Sequence, residues 1–253
     1  MISGSRPDWL LLSVVFSSTL LIYGIHRIVG IKKLEQASSQ GRFKIITTYK
    51  HHIQVYVILS VLALIYLMSR LDYQVIILLI PVSLISFLYT LPLLGSTRLR
   101  DMHLIKIFLI AFVWSYLGAL PIYLSGARLG LVGWVFVEKY FFLLAITLPF
   151  DIRDMNIDGK LKTIPTVVGV QKTYFLAYTS LIISYSIFIC CTSVLVDNRE
   201  MYWIIAVSFA YMISALFIHM SRNKTSDYYY SGLLDSTLII RGLAFTTLYC
   251  TGL

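Results

Sequence analysis

Apolar residues along this chain come in long blocks, and polar residues gather in the short stretches between the blocks. Eight blocks, each of 17 to 23 residues, cover residues 9–25, 53–69, 73–94, 104–124, 129–149, 173–195, 201–220 and 232–252. A helix needs about 20 apolar residues to cross the roughly 30 Å hydrocarbon core of a bilayer. The pattern therefore predicts an all-α integral membrane protein, a bundle of about eight transmembrane helices that forms one domain over residues 1–253.

Composition supports a lipid environment. The chain is 58% hydrophobic and only 13% charged, whereas soluble domains carry about 25% charged residues. The net charge of +9 does not indicate a nucleic-acid partner, because the basic residues lie between apolar blocks and form no basic face interleaved with aromatics. The lipid bilayer is the expected surroundings.

The distribution of basic residues predicts the orientation. Of 21 Lys and Arg residues, 15 fall in the connections after the first, third, fifth and seventh spans, and four fall before the first span or in the other connections. Lys and Arg concentrate on the cytoplasmic side of membrane proteins. We therefore expect a multi-pass protein of the plasma or inner membrane, with these four connections in the cytoplasm and both termini outside.

The most informative polar segment directly follows the fifth span. It carries three of the chain's 12 acidic residues, Asp151, Asp154 and Asp158, in the pattern D-x-x-D-x-x-x-D. On a helix these residues fall within an arc of about 60°. Their like charges repel along that face, so a cationic partner or full hydration is required. Arg153 points to the opposite side of an ideal helix, which makes it a poor partner.

Carboxylates in a row favour Mg²⁺, which binds through one or two carboxylates together with substrate phosphates. Lys160 and Lys162 lie in the following loop, where they could reach phosphate oxygens. The segment therefore indicates a site that holds a diphosphate through metal ions. The alternative is a hydrated acidic loop without a ligand.

The segment DIRDMNIDG at residues 151–159, followed by Thr163, Pro165 and Gly169, resembles the second aspartate-rich motif of the UbiA superfamily of intramembrane prenyltransferases. The resemblance implies a UbiA-like helical bundle that lacks the family's first helix. It also implies Mg²⁺-dependent transfer of a prenyl group from a polyprenyl diphosphate to a membrane-associated, lipid-soluble or aromatic acceptor. Asp151, Asp154 and Asp158 would then be the catalytic and metal-binding residues, and Lys160 and Lys162 would bind the diphosphate.

The chain departs from the family at the first aspartate-rich motif. The corresponding stretch, residues 23–33, contains no Asp. In one interpretation, basic residues such as Arg27 and Arg42 bind the diphosphate directly, as Arg and Lys can do for phosphoryl oxygens. In the other, catalysis is lost and the protein binds a polyprenyl lipid or assists assembly.

Two predicted spans carry ionisable residues well inside their ranges. These residues are Glu138 and Lys139 in the fifth span and Asp235 and Arg241 in the eighth. Intramembrane charges mark candidate functional positions, and the sequence identifies no partner for Arg241. A transporter is a less favoured alternative, because the two halves of the chain show no matched interrupted helices.

Overall fold

The computed structural model describes residues 8–34, 48–91, 99, 104–155, 163–195, 201–224 and 226–251, and this part of the chain is helical. The α-helices are α1 (Trp9–Leu34), α2 (Lys50–Met68), α3 (Tyr73–Thr90), α4 (Ile105–Leu124), α5 (Leu129–Asp154), α6 (Ile164–Val168), α7 (Val170–Leu195), α8 (Met201–Met220) and α9 (Asp235–Thr251). A 3₁₀ turn (Ser221–Asn223) and a π-helix (Tyr229–Leu234) connect α8 to α9.

Seven helices in the described part of the chain are long and apolar enough to cross a membrane: α1 to α5, α7 and α8. This confirms the prediction of an all-α, multi-pass membrane protein. The predicted eighth span corresponds to the π-helix and α9. The α-helical part of that segment has 17 residues and carries Asp235 and Arg241.

The helices fall into two compact units. In the unit formed by Arg6–Met102, α1 packs against α2 and α3. A Cβ atom on Gly24 would lie 2.4 Å from the Val57 side chain, so a glycine is required where α1 and α2 approach each other. Asp8 caps α1 by accepting hydrogen bonds from the Leu10 and Leu11 amides, each 3.0 Å long.

The other unit contains the helices after His103, and α5 lies at its centre. Helix α5 packs along α4 and α7, while α8 packs against α7 and α9. The core between them is apolar and closely packed. It includes Phe142, Ile146, Val207, Ile218 and Leu234, each at most 2% exposed.

Several hydroxyl side chains inside the spans make local hydrogen bonds. Ser60, Ser86, Thr147 and Ser214 each donate to the backbone carbonyl four residues earlier. Lipid offers no other acceptor at that depth, so this local bonding lets polar residues lie in membrane helices.

Helix α5 is longer than the sequence predicted. The predicted span ended at residue 149, whereas α5 continues through Pro149 to Asp154. Proline removes one backbone donor from a helix interior, but Pro149 is fully buried and the helix continues past it. The helical phase of Asp151 and Asp154 is therefore the one the sequence predicted.

Candidate functional site

Two carboxylates at the end of α5 share one ammonium group. The Lys106 Nζ atom lies 3.4 Å from Asp151 Oδ1 and 3.6 Å from Asp154 Oδ2. Asp151 is buried, with 3% of its surface exposed. Both carboxylates therefore face a common point that a single cation reaches, as the helical phase predicted.

Lys106 is a site residue that sequence reasoning did not identify. It lies in the first turn of α4 and is one of the basic residues whose distribution predicts the topology. Its position in the sequence could have indicated its role, because it lies at the start of one span and the aspartates lie at the end of the next, antiparallel span. Because α4 and α5 pack as neighbours, the first turn of α4 lies beside the last turn of α5.

The prediction that Arg153 is a poor partner for the aspartates was wrong. Arg153 Nε donates a 2.8 Å hydrogen bond to Asp154 Oδ1. An ideal helix separates neighbouring residues by about 100°, but the long arginine side chain folds back across that angle. The Arg153 guanidinium lies 5.1 Å from the ring centre of Phe150 and 5.0 Å from that of Tyr230, which hold it in place.

Arg153 also connects α5 to the segment between α8 and α9. One of its terminal nitrogens lies 3.3 Å from Asp227 Oδ1. A chain of alternating charges therefore extends across α4, α5 and this segment, in the order Asp151, Lys106, Asp154, Arg153 and Asp227. Asp227 was not singled out from the sequence, because its nearest site neighbour is more than seventy positions away.

The π-helix holds Tyr230 beside Arg153. The Tyr230 hydroxyl donates to the backbone carbonyls of Ser221, at 3.1 Å, and Lys224, at 3.0 Å. Burial raises the pKa of Tyr230 to about 12, so the phenol stays protonated and remains a donor. Tyr229 donates in the same way to the Phe217 carbonyl, at 2.6 Å. These bonds fix the segment that carries Asp227.

The T-x-P…G part of the motif forms a tight corner. Thr163 and Thr166 make a capping box at the start of α6, in which the Thr163 amide donates to Thr166 Oγ1 at 2.8 Å. Pro165 lies in the first turn, where its missing amide hydrogen costs nothing. Gly169 follows at φ +90°, a conformation that favours glycine. The motif residues therefore shape the turn into α7. At the start of α7 the Thr173 hydroxyl donates a 2.9 Å hydrogen bond to the Gly169 carbonyl.

The other predicted site residues have different positions. Arg27 lies exposed on α1, in the unit Arg6–Met102, whereas Asp151 and Asp154 belong to the other unit. Asp158, Lys160, Lys162 and Arg42 lie outside the described residues.

The sequence predicts Mg²⁺ at the aspartates, and the arrangement of the described carboxylates shows how far they suit that ion. The described residues bring no three His, Cys, Asp or Glu side chains together as a metal cluster. Two carboxylates that converge on one ammonium do fit a hard divalent cation that takes its remaining ligands from water and phosphate. Asp151 and Asp154 would be the described residues that hold such a cation, and the Lys106 ammonium already contacts both of them.

A second polar cluster lies inside the helical bundle. Arg241 NH2 of α9 donates to Glu138 Oε1 of α5, and Tyr211 of α8 donates to the same oxygen. Ser184 of α7 lies 3.1 Å from that oxygen and 2.6 Å from the Tyr211 hydroxyl. The Arg241 guanidinium packs 4.5 Å from the Phe142 ring centre. Glu138 is thus the partner that the sequence could not identify for Arg241, and the cluster joins four helices.

Comparison with protein-family models, with curated proteins and with solved structures found no match for this chain. The functional proposal therefore rests on the chain's own residues and on the motif resemblance.

Proposed function

We propose that this protein is a UbiA-like intramembrane prenyltransferase, which transfers a prenyl group from a polyprenyl diphosphate to a lipid-soluble or aromatic acceptor. One observation carries the proposal. Asp151 and Asp154 converge on a single cation at the end of a membrane-spanning helix. This arrangement suits a substrate whose charged head stays at the membrane surface while its chain enters the bilayer.

Asp151 and Asp154 would hold Mg²⁺, with Asp158 as the proposed third ligand. Bound Mg²⁺ would neutralise negative charge on the diphosphate oxygens and so favour departure of the diphosphate. Lys106 and Arg153 are placed to bind the remaining phosphate oxygens, because both already contact Asp154. Their charges would then stabilise the negative charge that develops on the diphosphate as it leaves.

The proposed reaction breaks the bond between the prenyl carbon and the diphosphate oxygen. The electron pair of that bond leaves with the diphosphate, and the acceptor supplies the pair for the new bond and then loses a proton. The apolar walls of the bundle would keep water away from the allylic cation. Arg27, Arg42, Lys160 and Lys162 remain proposed contributors to diphosphate binding, and the aspartate-rich segment is proposed to face the cytoplasm.

A second candidate is a polyprenyl-lipid binding or assembly protein without catalysis. Two observations favour it. Lys106 and Arg153 already neutralise the two carboxylates within the protein, and residues 23–33 contain no Asp. A protein of this kind would bind a polyprenyl diphosphate through its basic residues, and Mg²⁺ would not be needed.

Turnover separates the two candidates. The purified protein would be incubated with labelled geranylgeranyl diphosphate, Mg²⁺ and a panel of aromatic and lipid acceptors, and labelled products would be separated by chromatography. The enzyme proposal expects a labelled product and its loss in the Asp151→Asn/Asp154→Asn variant. Equal product formation by that variant would contradict it. Binding without any product would favour the second candidate.

A further inference from the structure

Three contacts other than the one to Asp227 hold the Arg153 guanidinium in place. Its Nε atom donates a 2.8 Å hydrogen bond to Asp154 Oδ1. The ring centres of Phe150 and Tyr230 lie 5.1 Å and 5.0 Å from its central carbon, and only 9% of the side chain is exposed. Arg153 is therefore expected to keep its position when the contact to Asp227 is broken.

The contact between Arg153 and Asp227 is an ion pair without a hydrogen bond. The terminal nitrogen Nη1 of Arg153 lies 3.3 Å from Asp227 Oδ1, yet this buried nitrogen has no hydrogen-bond partner in the part of the chain that the structure describes. A buried donor left without a partner costs free energy. An anion that accepts a hydrogen bond from Nη1 would therefore be a better partner than the Asp227 carboxylate is.

Asp227 is the more exposed member of the pair, with 39% of its side chain accessible. Its carboxylate can rotate into water at a small cost, because partly exposed ion pairs contribute little to stability. The backbone that follows stays fixed, since the hydroxyl groups of Tyr229 and Tyr230 donate to carbonyls at the end of α8 and in the turn after it. The Asp227 carboxylate thus marks a point where an anion contacts Arg153 and from which it can withdraw.

A phosphate oxygen suits the Arg153 guanidinium at this point. Arginine binds phosphate oxygens through short hydrogen bonds that are strengthened by charge, often two in parallel. Because Nη1 is buried and Asp227 Oδ1 lies against it, a phosphate oxygen reaches this nitrogen only after the carboxylate has moved. A ligand therefore has to displace Asp227 rather than bind beside it.

We propose that Asp227 is the resident counter-ion of Arg153, and that the diphosphate of the substrate displaces it. Asp227 then lowers the affinity of the site for a diphosphate, because only the fraction of molecules with the ion pair open can bind. The inference rests on the proposed function. It applies to the enzyme and to the lipid-binding candidate alike, since each binds a polyprenyl diphosphate. Asp227 acts through Arg153 and takes no part in the chemical step.

Binding of labelled geranylgeranyl diphosphate at saturating Mg²⁺ tests the inference. Asp227→Asn removes the charge and nearly keeps the shape of the side chain. It is expected to bind about fivefold more tightly than the wild type, near the upper end of what a partly exposed ion pair contributes. Asp227→Glu, which restores the carboxylate, should bind as the wild type does.

Two further variants separate displacement from a general effect of negative charge. Asp235, at the start of α9, interacts electrostatically with Arg153 but forms no ion pair with it among the described residues. Asp235→Asn should therefore give a smaller gain in affinity than Asp227→Asn does. In the Arg153→Met background, Asp227→Asn should give no gain, because the nitrogen that it uncovers is absent.

The outcomes distinguish this inference from the proposed function. Wild-type binding together with unchanged or weaker binding by Asp227→Asn would overturn the inference alone. An equal gain in Asp235→Asn, or a gain that persists in the Arg153→Met background, would also overturn it, because the effect would not act through the ion pair. No binding by the wild type or by any variant would overturn the proposed function and the inference together.

Discussion

The Lys106 ammonium lies 3.4 Å from the buried carboxylate of Asp151. The contact joins the first turn of α4 to the last turn of α5. It places a cation beside a buried carboxylate, which offsets part of the cost of burying that charge. The same ammonium reaches Asp154. One ammonium group therefore balances two carboxylates, and under the proposed function Mg²⁺ would compete with it for them.

Lys106→Met is expected to change the response to Mg²⁺ and to diphosphate in opposite directions. Without the ammonium, no positive charge from Lys106 opposes a second cation at Asp151 and Asp154, so under the proposed function Mg²⁺ should bind more tightly. Binding of a polyprenyl diphosphate at saturating Mg²⁺ should weaken, since a phosphate partner is lost. Mg²⁺ titration of diphosphate binding measures both effects. Lys172→Met, at an exposed position on α7, is the matched control. A variant with unchanged Mg²⁺ dependence would argue against competition at these carboxylates.

Arg153→Met is expected to destabilise the protein more than Asp227→Asn does. Arg153 contacts Asp154, Asp227 and two aromatic rings, so its loss should cost about 2 kcal/mol. Asp227 is 39% exposed at its side chain, and exposed ion pairs contribute about 1 kcal/mol or less. Thermal unfolding in detergent compares the two variants. Equal losses would mean that the Asp227 contact, rather than Asp154 and the rings, holds Arg153.

Glu138 and Arg241 should depend on each other. Glu138→Gln or Arg241→Met alone leaves one buried charge without its partner, which costs about 3–5 kcal/mol. The double variant should be less destabilised than the sum of the single variants, because neither charge remains. The unfolding temperatures of the wild type, the two single variants and the double variant form a double-mutant cycle that measures the interaction between the two side chains. Strictly additive losses would show that the two side chains act independently, against the ion pair in the structure.

Gly169→Ala is expected to destabilise the corner between α6 and α7. Gly169 has φ +90° and ψ 154°, an extended conformation with positive φ that is essentially restricted to glycine and costs an alanine about 1–3 kcal/mol. Gly130→Ala is the matched control, since Gly130 lies in α5 and a Cβ there would meet no atom within 4 Å. That control should be neutral or slightly stabilising, because alanine favours helix. If both variants unfold at the same temperature, the backbone conformation at Gly169 is not what fixes the corner.

The sequence was sufficient for local features of the fold and site. Long apolar blocks specify membrane helices because lipid leaves few alternatives, and helical phase placed Asp151 and Asp154 on one face. The sequence was not sufficient to predict contacts between residues that are distant along the chain and meet only when the helices pack. Arg241 and Glu138 lie 103 positions apart, and only the packed bundle brings them together. The predicted direction of the Arg153 side chain was wrong, because an ideal helical projection ignores the length of the side chain and the aromatic rings that contact it.

Mg²⁺-dependent binding of labelled geranylgeranyl diphosphate to the purified protein tests the central proposal most directly. Binding is expected to require Mg²⁺, to be abolished by EDTA, and to be lost in Asp154→Asn, while Lys172→Met binds normally. That result would support a metal-assisted diphosphate site at the end of α5. Binding that persists in EDTA and in Asp154→Asn would contradict it and favour a lipid-binding protein that uses its basic residues alone.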